Sequence, residues 1–206
     1  MRRVYLILLG IMLVLDQCVI GLQWTYSLRF ITKTVLIPLL IGYYLSSPVR
    51  VNKLFVSGLI MSFLGDVFLL FGWGFVAGLS CFLTAHILYI LTFKPLLRYK
   101  NTAILPIILL FIFGLYIFLY ENLGVMKIPV FLYAFTIGAM LYVALGTGQK
   151  WIMIGAILFV LSDSILAINL FHHRSTLGGM SIMLTYVLAQ YCLTEGILIA
   201  DKSHKV

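Results

Sequence analysis

The sequence predicts an all-α membrane protein, a bundle of eight transmembrane helices. Of its 206 residues, 63% are hydrophobic and only 10% are charged. The mean hydropathy of +1.15 lies far above the range of soluble domains. A spanning helix needs about 20 mostly apolar residues, and irregular backbone cannot face lipid, so the long apolar runs can only be helices. Their continuity excludes the alternating pattern of an outer-membrane β-barrel.

Eight apolar runs follow one another with short polar connections, which predicts a single integral membrane domain over residues 1–206. No loop is long enough to form a second domain. The second run is the shortest, and it spans a membrane only if its helix begins near Phe30. The predicted spans are residues 4–22, 34–45, 54–71, 75–93, 102–120, 128–145, 151–171 and 180–200.

The net charge of +8 is a topology signal, because the Lys and Arg residues lie in the predicted loops. In a soluble protein this charge would indicate nucleic acid, but so apolar a chain predicts a bilayer and no nucleic-acid partner. Because basic residues collect on the cytoplasmic side, we expect both termini in the cytoplasm and, in a bacterium, location in the cytoplasmic membrane. Ten basic residues then lie on the cytoplasmic side and four opposite: Arg2, Arg3, Arg50, Lys53, Lys94, Arg98, Lys100, Lys150, Lys202 and Lys205 against Arg29, Lys33, Lys127 and Arg174.

Short patterns recur between the two halves of the chain. Gly58 and Asp66 in the third run match Gly155 and Asp163 in the seventh, 97 residues later. Because an even number of spans separates the copies, this spacing predicts two parallel four-helix repeats about an axis along the membrane normal. The alternative is chance, since short matches arise easily in a chain rich in Gly and Leu.

Asp66 and Asp163 are two of only six acidic residues, yet they lie inside the most apolar segments. A charge at mid-bilayer costs roughly 2.5–3.5 kcal/mol, so such groups face the bundle interior or a wet cavity. Both lie about 12 residues, roughly 18 Å of helix, from the start of their spans. We therefore expect the pair to share one cavity and to hold a proton near neutral pH. The alternative is that each pairs with a nearby hydroxyl, such as Ser62, Ser162 or Ser164.

A second group of polar residues is predicted to line or support the same cavity. His86 and Tyr89 are one turn apart on one helix face, and Tyr186 and Gln190 have the same spacing. The structural alternatives are a satisfied core histidine and ordinary interfacial tyrosines. The full set of predicted substrate-binding or positioning residues is Lys33, His86, Tyr89, Tyr133, Tyr186 and Gln190.

Three other features of the sequence have simpler interpretations. The alternative interpretation of Lys33 is a side chain that snorkels to the membrane surface. Asp16 and Glu195 are expected to neutralise Lys or Arg near helix ends. One histidine within the spans, with cysteines that lack ligand spacing, predicts no metal site, and no motif indicates a cofactor.

Four segments carry a more specific signal: "GLIMSFLGDVFLL", "FVAGLSCFLTAHILYI", "GAILFVLSDSILA" and "LTYVLAQY". In this order and spacing they resemble the YhhN-like lysoplasmalogenase family, over about residues 33–190. The resemblance implies a membrane hydrolase of lipid metabolism, an ether hydrolase. It would cleave the vinyl ether bond of a lysophospholipid substrate to a fatty aldehyde and glycerophosphocholine or glycerophosphoethanolamine. The family's polar pattern falls on Lys33, Asp66, His86, Tyr89, Tyr133, Asp163 and Gln190.

Vinyl ether hydrolysis suits two carboxyl groups. A general acid protonates the β-carbon, water captures the resulting oxocarbenium ion, and the hemiacetal collapses to aldehyde and alcohol. One carboxyl group would be the acid and the other the stabilising carboxylate; the sequence does not distinguish the two roles, and Asp163 is taken as the acid. No nucleophilic G-x-S-x-G motif occurs in the sequence, and this reaction needs none.

Three other functions fit the buried carboxylates less well. A proton-coupled small-molecule transporter suits midplane carboxylates in parallel repeats, but Pro38 and Pro129 are predicted near helix starts, so no span is broken at its centre. An intramembrane aspartyl protease would show a Gly-x-Gly-Asp motif, whereas "FLG" and "VLS" precede the two aspartates. A non-catalytic scaffold leaves the pair unexplained.

Overall fold

The fold is all-α, as the sequence predicts. The computed structural model describes residues 1–100 and 102–203, apart from three side chains in this range, those of Tyr26, Lys202 and Ser203. Lys205, counted above for topology, lies outside them. The described residues form eight α-helices, short 3₁₀ turns and no strand: α1 (Arg2–Gly21), α2 (Tyr26–Leu45), α3 (Lys53–Phe68), α4 (Phe75–Phe93), α5 (Leu105–Leu119), α6 (Lys127–Gly146), α7 (Lys150–Phe171) and α8 (Thr176–Ser203).

Seven of the eight helices in the described part of the chain are long and apolar enough to cross a membrane, counting the 3₁₀ turns that extend α4, α5 and α6. The protein is therefore an integral, multi-pass membrane protein. The exception is α3, whose 16 residues extend about 24 Å. It ends at Phe68, three residues before the predicted end of this span.

Helix α2 corrects one argument made from the sequence. It begins at Tyr26, eight residues before the predicted start at 34, so Pro38 lies inside the helix and not near its beginning. The apolar run in the sequence does not include the first two turns of this helix, because Arg29 and Lys33 lie on them. Proline at 38 removes the backbone hydrogen bond to the carbonyl of Thr34. The expectation that no span carries a proline near its centre is wrong for α2, whereas Pro129 does lie in the first turn of α6.

Two kinds of helix contact recur in both halves of the chain. The closest pairs are α3 with α4 and α7 with α8. Between the halves, α4 packs against α6 and α8 packs against α2. In the predicted repeat α4 corresponds to α8 and α6 corresponds to α2, so these two contacts are equivalent. Their equivalence supports the predicted parallel repeat.

The repeated glycines explain why these pairs approach so closely. A Cβ at Gly58 would overlap the ring of Tyr89 on α4, and a Cβ at Gly155 would lie 2.8 Å from Leu193 on α8. Small residues at helix crossings let the two backbones approach, which is the usual packing device in membranes. In both helices the aspartate follows about two turns later.

The end of the bundle that carries the N-terminus is closed by packing and by an ionic cluster. Within the residues described, the buried core contains side chains from every helix except α5, which packs at the edge against α6.

The ionic cluster at this end consists of Arg2, Glu195 and Tyr43. Arg2 pairs with Glu195 at 2.9 Å and donates to Tyr43 at 2.6 Å. Glu195 thus neutralises a basic residue near a helix end, as predicted. The opposite end of the bundle is open.

Candidate active site

A cavity of about 820 Å³ lies at this open end, where α1 connects to α2, α3 to α4 and α7 to α8. Both Asp66 and Asp163 line the cavity, together with Lys33 and Tyr186. Such a volume is typical of a small-molecule site. The structure therefore places four of the eight predicted site residues among those that line one cavity.

Asp66, on α3, is almost completely buried and has a cation as partner. The ammonium group of Lys33 lies 3.3 Å from its Oδ1, and the hydroxyl of Tyr186 donates to its Oδ2 at 2.7 Å. Lys33 is itself buried, so it does not snorkel to the membrane surface. Ser62, the hydroxyl expected as a local partner, instead contacts Tyr89 at 3.4 Å. These contacts favour the ionised form of Asp66, because both partners donate to a carboxylate.

Asp163, on α7, has no cationic partner among the residues described. The hydroxyl of Tyr133, on α6, donates to its Oδ2. Ser162 donates to the carbonyl of Ile182 at 3.0 Å and Ser164 to that of Val160 at 2.7 Å, so neither serine pairs with the carboxyl group. The two carboxyl groups line the same cavity, and within the described residues only that of Asp66 is ion-paired.

Four predicted site residues are not among the described residues that line the cavity: His86, Tyr89, Tyr133 and Gln190. Tyr133 nevertheless donates a hydrogen bond to Asp163, and Tyr89 donates one to Gln190 at 2.8 Å. His86 is fully buried, with its ring centre 4.7 Å from that of Phe159 and 5.3 Å from that of Tyr133. Neither of its ring nitrogens has a hydrogen-bond partner in the described structure.

Asp16 differs from its sequence-based expectation. It is completely buried on α1, where the hydroxyl of Thr32 donates to it at 2.6 Å, and it forms no ion pair within the described residues. Its described partner is therefore a hydroxyl group and not the Lys or Arg side chain that was expected.

Two arginines of the cavity were missed as site residues and counted only for topology. Arg29 and Arg174 both line the cavity. The sequence does contain an indication for Arg29: it lies four residues before Lys33, and this spacing places both side chains on one helix face. No group of three or more His, Cys, Asp or Glu side chains placed to hold a metal occurs in the described ranges.

Comparison with known proteins gives consistent matches. The YhhN family model matches residues 28–197. The chain is 34% identical over 151 residues to human "Lysoplasmalogenase TMEM86B", covering 71% of this chain and 64% of that protein. It is 30% identical over 159 residues to "Lysoplasmalogenase" of Mycobacterium bovis, covering 71% and 61%. It is 34% identical over 165 residues to "Lysoplasmalogenase TMEM86A" of Bos taurus, covering 73% and 66%.

The matches thus span just under two thirds of the length of these curated relatives. No solved structure matches the chain significantly. The region matched by the family model contains all eight predicted site residues and leaves out Asp16.

Proposed function

The chain belongs to the YhhN family, and we propose that it is a lysoplasmalogenase, an ether hydrolase that cleaves the vinyl ether bond of a lysoplasmalogen. The products are a fatty aldehyde and glycerophosphocholine or glycerophosphoethanolamine. The observation that carries the proposal is a single cavity within the bundle that is lined by two carboxyl groups with different partners. Relatives of about a third identity named lysoplasmalogenase support the choice of substrate.

The different partners assign the roles of the two carboxyl groups. Lys33 compensates the charge of Asp66, so Asp66 is the ionised member. Among the described residues Asp163 has the phenol of Tyr133 as partner and no cation, so it retains the proton. Asp163 is then the general acid, and Asp66 stabilises the cation, as in the paired carboxylates of glycoside hydrolysis.

The reaction proceeds in three steps. Asp163 gives its proton to the β-carbon of the vinyl ether, and the double-bond electrons form the new C–H bond. The positive charge is shared by the α-carbon and the ether oxygen, next to the Asp66 carboxylate. Water attacks the α-carbon and returns one proton to Asp163, and the hemiacetal then breaks its bond to the glycerol oxygen, which takes the remaining proton. Lys33 and Tyr186 position Asp66 through their contacts with its carboxyl group.

The side of substrate entry follows from the proposed topology. With both termini in the cytoplasm, as the basic residues favour, the open end of the cavity faces away from the cytoplasm. The lysophospholipid would enter from the outer leaflet, with its chain in the bilayer and its polar end in the cavity mouth.

Aldehyde release tests the proposal directly. Purified protein in liposomes should release a fatty aldehyde from 1-O-alkenyl lysophospholipids and none from the matched saturated-ether lipid. The saturated ether is the control, because it has the same head group and chain but no double bond to protonate. Folded protein that releases no aldehyde from choline or ethanolamine lysoplasmalogens would contradict the proposal.

A proton-coupled small-molecule transporter is the second candidate, and Pro38 favours it. This residue interrupts the hydrogen bonds of α2 about one turn after Lys33. Transporters place such interruptions beside binding sites at the interface of repeats. Substrate accumulation in proteoliposomes under a proton gradient, without aldehyde release, would favour the transporter.

A further inference from the structure

Two cations in the cavity have no role in the reaction described above. Arg29 lies on α2 one turn before Lys33, and Arg174 lies in the connection between α7 and α8. Both line the cavity, from different walls. Neither forms an ion pair with an acidic side chain in the described part of the protein, and the Nε of Arg29 is buried without a hydrogen-bond partner.

A partly buried guanidinium group and an exposed one that line the same cavity indicate an anionic ligand. A buried donor without a partner is costly, so a ligand that supplies oxygen acceptors would relieve it. The planar guanidinium presents paired donors that match the oxygens of a phosphate. The start of α8 also borders the cavity through Ser175 and Thr176, and the positive end of its dipole adds to the same field.

The spacing of the cations along α2 matches the dimensions of a lysophospholipid. Arg29 and Lys33 are four residues apart, which is about 6 Å along the helix axis. In the lipid, five single bonds separate the ether oxygen from the phosphorus, or about 6 Å in extended form. A phosphate at the level of Arg29 therefore places the ether oxygen at the level of Lys33 and Asp66.

We infer that Arg29 and Arg174 form a head-group subsite that binds the phosphodiester of the lysophospholipid and sets the depth of its ether bond in the cavity. The choice of this lipid rests on the proposed function. Binding itself can be measured without hydrolysis, with a saturated-ether lysophospholipid as the probe. The matched 1-O-alkylglycerol has the same chain and ether bond and lacks only the phosphate ester.

Trp24 provides the signal for this binding experiment, because it lines the cavity mouth. Its fluorescence can be isolated by replacing the other two tryptophans, Trp73 and Trp151, with phenylalanine. Arg174→Gln should weaken binding of the saturated-ether lysophospholipid about tenfold and leave binding of the alkylglycerol unchanged. Arg29→Gln should show the same pattern.

Lys127→Gln is the matched control, since it removes a positive charge on the same predicted side of the membrane. Lys127 lies over the ring of Tyr120 at 3.8 Å and is not among the described cavity-lining residues. This variant should bind both probes as the wild type does. Equal weakening of both probes by Arg174→Gln, or no weakening of either, would overturn the subsite.

Two further results separate the possible explanations. If wild type binds inorganic phosphate in an Arg174-dependent way and does not bind the saturated-ether lysophospholipid, the site belongs to free phosphate and the lipid assignment is wrong. With hydrolysable lipids, Arg174→Gln should raise KM for the phosphate ester and leave kcat unchanged. Wild type that binds the lysophospholipid in an Arg174-dependent way and yet releases no aldehyde would support the subsite and refute the hydrolase.

Discussion

Asp66 and Asp163 hold matching positions in the two halves of the chain, yet their surroundings differ. Asp66 contacts an ammonium group and a phenol, whereas Asp163 contacts a phenol alone. The predicted repeat offers a reason for this difference. Ile41-Gly42 of α2 matches Ile137-Gly138 of α6, 96 residues later, and at the same offset Lys33 corresponds to Pro129. The second half therefore has no cation to offer its aspartate.

In the mechanism that we propose, this divergence would give two similar carboxyl groups different protonation states. A symmetric pair would share one proton equally, and neither group would be a dedicated acid. With Lys33 beside Asp66 only, the proton would have a preferred location on Asp163, and the negative charge would stay on Asp66. The comparison can be tested by removing the carboxyl groups, the cation and the phenols in turn.

The largest expected effect comes from the carboxyl groups. Asp163→Asn and Asp66→Asn should each lower kcat for aldehyde release by about a hundredfold or more, because general acid catalysis alone contributes 10²–10⁴-fold. KM should change little, since both groups act mainly on the transition state. Asp16→Asn is the matched control, a buried carboxyl group outside the cavity wall, and should keep most of the activity.

Rescue distinguishes the two aspartates in the same assay. Added formic acid should restore part of the activity of Asp163→Ala, where it replaces the missing proton donor, and should not restore Asp66→Ala. If Asp66→Ala is the variant rescued, the roles of the two residues are reversed. Either Asn variant that retains more than about a tenth of wild-type turnover shows that its carboxyl group is structural.

Removal of the cation should cost stability. Lys33→Met leaves the buried Asp66 carboxylate unpaired, which lowers the free energy of unfolding by about 3–5 kcal/mol. The second substitution Asp66→Asn should recover most of this loss, and Asp163→Asn, the matched control, should recover little. Thermal unfolding of the single and double variants in detergent measures the difference. Equal recovery by both would mean that Lys33 serves the two carboxyl groups alike.

The phenols should show the smallest and most informative difference. In the proposed mechanism Tyr186 donates to an ionised group and Tyr133 to a protonated one. Hydrogen bonds to charged groups are roughly twice as strong. Tyr186→Phe should therefore reduce kcat by about tenfold and Tyr133→Phe by about threefold. The larger loss in Tyr133→Phe would contradict the assignment. Tyr116→Phe, a phenol outside the cavity wall, controls for the loss of a hydroxyl.

The sequence predicted the helices and the aspartate pair because hydrophobic length and the cost of a buried charge are local properties. It missed the first turns of α2, where Arg29 and Lys33 interrupt the apolar run while pointing into a cavity. It also missed the burial of Asp16, which depends on the packing of α1 against α2. The roles of individual side chains required knowledge of which helices are neighbours.

Infrared difference spectroscopy tests the central claim, that Asp163 carries the proton and Asp66 does not. The C=O stretch of a protonated carboxyl group is absent from a carboxylate, so each substitution reports the state of the group that it removes. At neutral pH the account predicts that Asp163→Asn abolishes one such band and that no band from Asp66 remains in that variant. The spectrum of Asp16→Asn identifies any band that belongs to that buried residue. A band lost in Asp66→Asn and kept in Asp163→Asn would contradict the account.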